Sequence, residues 1–223
     1  MEVVDIVARE HKQISVKPGW VEHDPEEIYQ NVLQCLVEVC QRNKLTAEIV
    51  KGIGITNQRE TTVAFDRKTG KHLHNAIVWL DQRTTGVVEE MKAKNDGNAD
   101  AYRLDCGLPI NTYFSAQKMK WLVDSVPGLK DNADLILGTI DTYLIARLTN
   151  CQSLVTDSTN ASRTMLMDIQ SLEWSEKMMA EYGIKKEWLP KIIKESSADF
   201  GKISDDSITT LKGVVISGVL GDQ

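Results

Sequence analysis

The chain has 223 residues, of which 42% are hydrophobic and 26% are charged. This length corresponds to one large domain or two small ones, and the composition excludes a wholly disordered or low-complexity chain. The 26 Lys and Arg residues stand against 32 Asp and Glu residues, so the net charge is -6. Since the sequence contains no basic block, we expect no nucleic-acid partner.

The cysteines and the hydropathy pattern indicate a cytoplasmic protein. The four cysteines form no C-x-x-C pair and no His cluster accompanies them, so we expect reduced thiols and no metal site. No apolar run is long enough to cross a bilayer. The first residues have neither the apolar core of a signal peptide nor the Arg-rich pattern of a transit peptide.

The first elements are predicted from hydrophobic patterns and turn residues. Residues 3–16 are rich in Val and Ile, which predicts a strand, and the Pro-Gly pair at 18–19 predicts the turn that ends it. The Asp-Pro pair at 24–25 is typical of a helix start, because Asp can cap the helix and Pro suits its first turn. Apolar residues then recur at helical spacing and predict a helix to about Arg42.

Short strands and longer helices alternate along the rest of the chain. The predicted strands cover 53–55, 61–65, 76–79, 135–137 and 214–216, and the predicted helices cover 81–94, 116–124, 141–148 and 175–182. A turn is predicted at 68–71, and residues 218–223 read as a loop after the last strand. This alternation without repeats or linkers predicts the α/β fold class, with a mixed or parallel sheet covered by helices.

Three loops are candidates for a ligand site, because ligands of α/β sheets bind where strands end. They are 57–60, 79–83 and 221–223. In the first, Arg59 offers a planar fork of donors and Glu60 offers acceptors, so the two suit a ligand with several hydroxyl groups. The alternative is an ordinary surface ion pair, which would contribute little to stability.

The remaining candidate residues each have a structural alternative. Trp79 and Tyr113 are either core aromatics or walls of a pocket for a carbon skeleton. Asp222 lies in a Gly-flanked segment and is either a site carboxylate or a solvated turn residue. The polar segment that contains Asp157 and Arg163 is explained equally well by local capping. Neither common nucleotide-binding fingerprint is present.

A series of short motifs extends from about Gly19 to the last residue. They are GWVEHDP at 19–25, NQRETT at 57–62, VWLDQRT at 78–84, GLP at 107–109, YFSA at 113–116, GTIDT at 138–142, TNASRTML at 159–166 and SG at 217–218 through GDQ at 221–223. In these motifs and in their order the chain resembles the FGGY family of carbohydrate kinases, and most closely its members that act on glycerol.

The resemblance implies a fold, a reaction and roles for single residues. The implied fold is the ribonuclease-H-like, actin-like ATPase domain, and the implied reaction transfers the γ-phosphate of ATP to a terminal hydroxyl of glycerol, with Mg²⁺. By the same resemblance Arg59 and Glu60 bind hydroxyl groups and Trp79 lines the carbon chain. The match further assigns polar contacts to Tyr113 and Gln223, and makes Asp222 both a glycerol ligand and the catalytic base.

The sequence also departs from the family pattern. It lacks a match to the first strands with their phosphate-binding loop and to the second, nucleotide-binding domain. The resemblance therefore implies that residues 1–223 are a glycerol-binding domain truncated at both ends, without nucleotide-binding residues of its own. We expect the isolated chain to be weakly stable and inactive with ATP, because 52–56 would lose a neighbouring strand. The resemblance implies a homo-oligomer for the complete enzyme.

Two other functions stay open at this point. One is a non-catalytic glycerol-binding or interaction module, since most of the implied pocket is present. The other is a kinase of a different polyol or sugar, against which the adjacent Arg59 and Glu60 argue by resemblance alone.

Overall fold

A computed structural model describes residues 2–223. Its helices are α1 Pro25–Asn43, α2 Thr85–Ala93, α3 Arg103–Cys106, α4 Ser115–Ser125, α5 Ile140–Leu148, α6 Ser158–Ala161 and α7 Glu176–Tyr182, with 3-10 turns at Lys186–Trp188 and Asp206–Leu211. Its strands are β1 Glu22–His23, β2 Ile53–Asn57, β3 Thr62–Asp66, β4 Ala76–Ile77, β5 Leu135–Thr139, β6 Val155–Asp157, β7 Lys191–Ile193 and β8 Ile216–Gly221.

The strands form one antiparallel sheet and two parallel pairs. The antiparallel sheet has the order β1-β4-β3-β5, and β3 and β5 pair along their whole length, from Thr62 opposite Thr139 to Asp66 opposite Leu135. β2 pairs in parallel with β8, and β6 pairs in parallel with β7. The mixed arrangement that the alternating elements predict is therefore present.

The antiparallel sheet separates two hydrophobic layers. Side chains of consecutive strand residues point to opposite faces, so Ala64 of β3 and Leu137 of β5 belong to one layer, with α4 and α7. Phe65 of β3 and Ile136 of β5 belong to the other layer, with α1, α5 and the β2–β8 pair. Both faces of these strands are thus buried, which explains their nearly continuous apolar sequences.

The helix that the sequence predicts from Asp24-Pro25 is present as α1. The Asp24 side chain accepts a hydrogen bond of 2.8 Å from the backbone N–H of Glu26, which satisfies one of the free donors of the first turn. Lys44 ends the helix in the left-handed conformation, with φ 51°. The buried face of α1, which includes Tyr29 and Leu33, packs on α5.

The strand predicted over residues 3–16 is wrong. No strand lies within 3–13, and within residues 3–16 Ile14 alone makes a β-bridge, to Glu22. The segment instead contacts α1 through charged side chains, as in the 2.7 Å ion pair between Arg9 and Glu38. Val and Ile favour a strand only where another strand supplies the hydrogen bonds, and in the described part of the chain β1 supplies them to this segment at Ile14 alone.

Two further boundaries differ from the prediction. The helix expected over 81–94 begins only at Thr85, because 81–84 form a buried turn. The last strand is Ile216–Gly221 rather than 214–216, so the expected loop 218–223 is mostly strand. The parallel pairing with β2 extends β8 by supplying backbone partners through Gly221. Among the described residues, the helices are too short or too polar to cross a membrane.

The cap of α1 leads to a stability prediction. Asp24→Ala leaves a first-turn N–H of α1 without its partner, so we expect the free energy of unfolding to fall by about 1 kcal/mol. Asp24→Asn keeps an acceptor and is the matched control, with an expected loss below about 0.5 kcal/mol. Urea unfolding followed by circular dichroism measures both variants, and equal losses would contradict the capping role.

Candidate functional site

The parallel pairing of β2 with β8 brings two distant segments to one edge of the fold. Asn57, the last residue of β2, lies opposite Gly221, the last residue of β8. The backbone N–H of Asp222 donates to the Asn57 carbonyl oxygen over 3.2 Å and continues the pairing by one residue. The two loops that the sequence singles out at these strand ends, 57–60 and 221–223, therefore lie side by side.

Arg59 lies across the end of β8. Its Nε is 3.6 Å from Oδ1 of Asp222, and its guanidinium donates to Oε1 of Gln223 over 3.1 Å. The Arg59 side chain is 13% exposed and the Asp222 side chain is 43% exposed, so the arginine forms the floor and the carboxylate stays open to a ligand. Nε of Arg59 is buried without a hydrogen-bond partner among the described residues.

The Arg59 side chain can lie against β8 because residue 221 is glycine and has no side chain. A Cβ atom at residue 221 would lie 2.2 Å from Cδ of Arg59 and 2.8 Å from its Cγ, well inside van der Waals contact. Any side chain at this position would therefore displace the arginine. By contrast, a Cβ at Gly218 of the same strand would have its nearest neighbour at 3.5 Å, an ordinary contact.

Glu60 is a buried carboxylate held by an arginine. It is 3% exposed, and its Oε1 accepts a 2.6 Å hydrogen bond from Nε of Arg163. Its backbone has φ 63°, a conformation that is rare for a residue other than glycine and that turns the chain sharply after β2. Within the described residues the second carboxylate oxygen has no hydrogen bond, so it can accept one from a ligand.

Trp79 and Tyr113 form an aromatic wall beside this carboxylate. Their ring centroids are 5.4 Å apart with a tilt of 58°, and the Trp79 ring is 38% exposed. The guanidinium of Arg163 lies 5.7 Å from the Tyr113 ring, which places Glu60, Arg163 and Tyr113 in one group. Trp79 is thus neither buried in the core nor isolated on the surface, and its exposed face suits the carbon chain of a ligand.

A hydrogen-bond network around Asp157 supports the strand ends. Thr159 Oγ1 accepts from the backbone N–H of Gly221 over 2.8 Å and donates to Oδ2 of Asp157 over 2.7 Å. Asn160 accepts from the side chain of Asn57 over 2.9 Å. The network therefore connects α6 to the last residue of both β2 and β8, one or two residues before Arg59 and Asp222.

A second buried carboxylate, Asp141, anchors the strand that carries Asp157. It accepts hydrogen bonds from Thr139 at the end of β5 and from Thr156 of β6. Complete burial raises the pKa of Asp141 to about 6, while the two threonine hydroxyls act in the opposite direction. Through these two hydrogen bonds the carboxyl group connects the antiparallel sheet to β6.

The third candidate loop, 79–83, contributes an aromatic ring rather than charged ligands. Asp81 and Arg83 form a buried pair at 2.9 Å, and Glu22 lies 2.8 Å from the same guanidinium. Trp20 stacks on the other side of this guanidinium, 4.0 Å away. These charges hold the turn that presents Trp79, and they are not open to a ligand.

The structure thus joins all six residues predicted for the site through two contact groups. Arg59, Asp222 and Gln223 form one group, and Glu60, Trp79 and Tyr113 form the other with Arg163. Arg163 was predicted only as part of a polar segment with a structural explanation. An arginine is unusual within a run of small polar residues, and this feature of the sequence could have identified Arg163.

Comparisons with known proteins show the family of the chain. The whole chain, residues 1–223, matches the family described as the FGGY family of carbohydrate kinases, N-terminal domain. A glycerol kinase of Brucella anthropi is 46% identical to it over 98% of the chain and 44% of the relative. The chain therefore spans less than half the length of this curated relative.

Solved structures extend the likeness to the fold. A Plasmodium falciparum glycerol kinase with ADP has a TM-score of 0.90 and 41% identity, over 99% of the chain and 44% of that protein. A gluconate kinase of Lactobacillus acidophilus has a TM-score of 0.84 and 24% identity, over 98% and 43%, and shares the fold alone. The predicted ribonuclease-H-like, actin-like α/β fold class is confirmed; the incomplete N-terminus stays a prediction.

The pair of Glu60 and Arg163 leads to a prediction about stability. Arg163→Met leaves a buried carboxylate without its partner, and we expect unfolding free energy to fall by about 2 kcal/mol, since Arg163 is itself partly exposed. The double variant with Glu60→Gln should recover at least about half of this loss, because no charge is then buried alone.

Denaturant unfolding of the single and double variants measures this coupling. Arg103→Met is the matched control, because Arg103 pairs with Asp100 on the surface and its loss should cost less than about 0.5 kcal/mol. Additive losses in the double variant would show that the pair makes no specific contribution.

Proposed function

Because the chain belongs to the FGGY family of carbohydrate kinases, we propose that it forms the glycerol-binding domain of an ATP-dependent glycerol kinase. The reaction transfers the γ-phosphate of ATP to a terminal hydroxyl of glycerol and yields sn-glycerol 3-phosphate. The observation that carries the proposal is the meeting of Arg59 with Asp222 and Gln223 at the ends of β2 and β8. The 46% identity to a glycerol kinase supports glycerol over other acceptors.

In this proposal the two contact groups bind different parts of glycerol. The guanidinium of Arg59 and the free oxygen of Glu60 bind hydroxyl groups, one as donor and the other as acceptor. The exposed face of Trp79 contacts the carbon chain, and Tyr113 and Gln223 add polar contacts. A donor and an acceptor side by side suit a ligand with neighbouring hydroxyl groups, each of which can both donate and accept.

Asp222 is the catalytic base of the proposed reaction. Its carboxylate is partly exposed at the end of β8, where a bound hydroxyl can reach it. As the hydroxyl oxygen bonds to the γ-phosphorus, the bond from phosphorus to the bridging oxygen of ADP breaks, and the hydroxyl proton passes to Asp222.

ATP enters this proposal as its magnesium complex. Mg²⁺ offsets the negative charge of the phosphates, and the described residues form no cluster of three His, Cys, Asp or Glu that could hold a metal alone. In this proposal Mg²⁺ belongs to the nucleotide substrate. A cytoplasmic location, supported by four free cysteines, belongs to the same proposal. The homo-oligomer and the lack of a nucleic-acid partner stay predictions.

Calorimetric titration of the chain with glycerol tests the proposal. We expect wild-type protein to bind glycerol more tightly than gluconate, and Arg59→Ala to bind glycerol at least about tenfold more weakly, because a buried fork of donors is lost. Arg103→Ala, which removes an exposed arginine, should change the affinity less than about twofold.

The outcomes test whether glycerol is the ligand and whether it binds at Arg59. Tighter binding of gluconate would indicate a kinase of another acceptor. Absence of glycerol binding in wild-type protein would contradict the proposal. Glycerol binding that is the same in Arg59→Ala as in wild type would place the ligand elsewhere on the molecule.

The contact between Gly221 and Arg59 leads to a second test of the same site. Gly221→Ala places a methyl group where the arginine side chain lies, so we expect glycerol affinity to fall at least about tenfold. Gly218→Ala is the matched control on the same strand, because its methyl group meets an ordinary contact, and its affinity should stay within about twofold of wild type. Equal effects of the two substitutions in calorimetry would show that Gly221 acts through the strand and not through Arg59.

A further inference from the structure

Lys118 is a completely buried lysine close to the site. It lies in α4 and has no exposed surface, which is rare for lysine because its charge must leave water. Its Nζ donates to three successive backbone carbonyl oxygens, those of Thr112 at 2.9 Å, Tyr113 at 2.6 Å and Phe114 at 3.2 Å. No carboxylate is within ion-pair distance of it among the described residues.

The three acceptors match the donors of an ammonium group. A protonated lysine has three N–H groups and no acceptor, so each carbonyl oxygen receives one hydrogen bond. The carbonyls converge because the chain at 112–114 folds back over the first turns of α4. An apolar residue at 118 would take away the side-chain donor of the Thr112 and Tyr113 carbonyl oxygens, which are partly buried.

The loop held in this way carries part of the aromatic wall. Tyr113 supplies one of the three carbonyls, and its ring packs on Trp79 at 5.4 Å. The neighbouring Ser115 donates to the backbone carbonyl of Glu60 over 3.1 Å. The first turns of α4 therefore contact both the residue that forms the wall and the residue that supplies the carboxylate.

We propose that Lys118 is a positioning residue of the glycerol site, whose ammonium group fixes the 112–114 loop and thereby holds the Tyr113 ring against Trp79. The inference rests on the proposed function, and it adds a residue that does not contact the ligand. It acts on affinity through the wall and not through a bond to glycerol.

The charge of Lys118 makes this role dependent on pH. Burial lowers the pKa of Lys118 from its ordinary value to about 7, while the nearby carboxylates of Glu60 and Asp81 act in the opposite direction. Each of these carboxylates is itself paired with an arginine, Arg163 and Arg83 respectively. The neutral amine keeps two N–H groups, so one of the three carbonyls loses its donor above this pKa.

Two pH trends of opposite sign follow. Glycerol affinity should fall at least about threefold from pH 6 to pH 9, as the loop loses a hydrogen bond. Stability should rise over the window from pH 7 to the ordinary lysine pKa, because the unfolded state binds a proton there that the folded state has released. Lys118→Met should show neither lysine-dependent trend.

Calorimetry with glycerol and hydrogen–deuterium exchange of the 111–115 amides test the inference on Lys118→Met. We expect glycerol affinity at pH 6 to fall at least about tenfold and the exchange of 111–115 to become at least about tenfold faster, while β3 and β5 stay protected. Lys120→Met is the matched control on the same helix, because Lys120 pairs with Asp124 near the surface, and it should match wild type within about twofold.

The outcomes distinguish a failure of the inference from a failure of the proposed function. A folded Lys118→Met that binds glycerol like wild type overturns the inference and leaves the proposed function intact. Wild-type protein that binds no glycerol overturns both. If Lys118→Met does not fold, the pH profile of wild-type protein decides: a fall in affinity through pH 7 supports the inference, and a constant affinity from pH 6 to pH 9 overturns it.

Discussion

The candidate site depends on one parallel pairing, between β2 and β8. The pairing places Arg59 beside Asp222, although the two residues are 163 positions apart in the chain. In a parallel pair both carboxyl ends lie at the same edge, so polar residues that follow the two strands meet without any further adjustment. The remaining features of the site either hold these strand ends in place or add side chains next to them.

The support comes from buried polar groups that are almost fully paired. Asp157 and Thr159 hold the end of β8, Asn160 holds the end of β2, and Arg163 holds Glu60. Asp157, Thr159, Asn160 and Arg163 lie within α6 or next to it, so one short segment reaches both loops of the site. Such networks are worth most when each member has its partner, because an unpaired polar group in a low-dielectric interior is costly. The polar residues in and next to α6 therefore contribute to the stability of the site.

Buried charged side chains also support the aromatic wall formed by Trp79 and Tyr113. Arg83 is enclosed by Asp81, Glu22 and the Trp20 ring, and this cluster supports the turn that presents Trp79. Lys118 holds the opposite side of the wall through backbone carbonyls. The chain has a net negative charge, but the cations near the site are held in fixed positions by their partners. The local arrangement of charges, and not the net charge, therefore decides what this edge can bind.

The sequence by itself determined the helices with clear caps, the strands β3 to β5 and the family, and it supplied the candidate site residues. The Asp24 cap and the apolar strands depend on neighbouring residues and on burial patterns that can be read locally. The motifs that contain Arg59, Glu60 and Asp222 identified the family. The tertiary structure alone decided that residues 3–16 form no strand, that Asp81 and Arg83 are buried, that Arg163 pairs with Glu60, and that Lys118 donates to the carbonyls of 112–114. These outcomes depend on which distant groups satisfy a charge or a backbone hydrogen bond, and neither spacing nor composition contains that information.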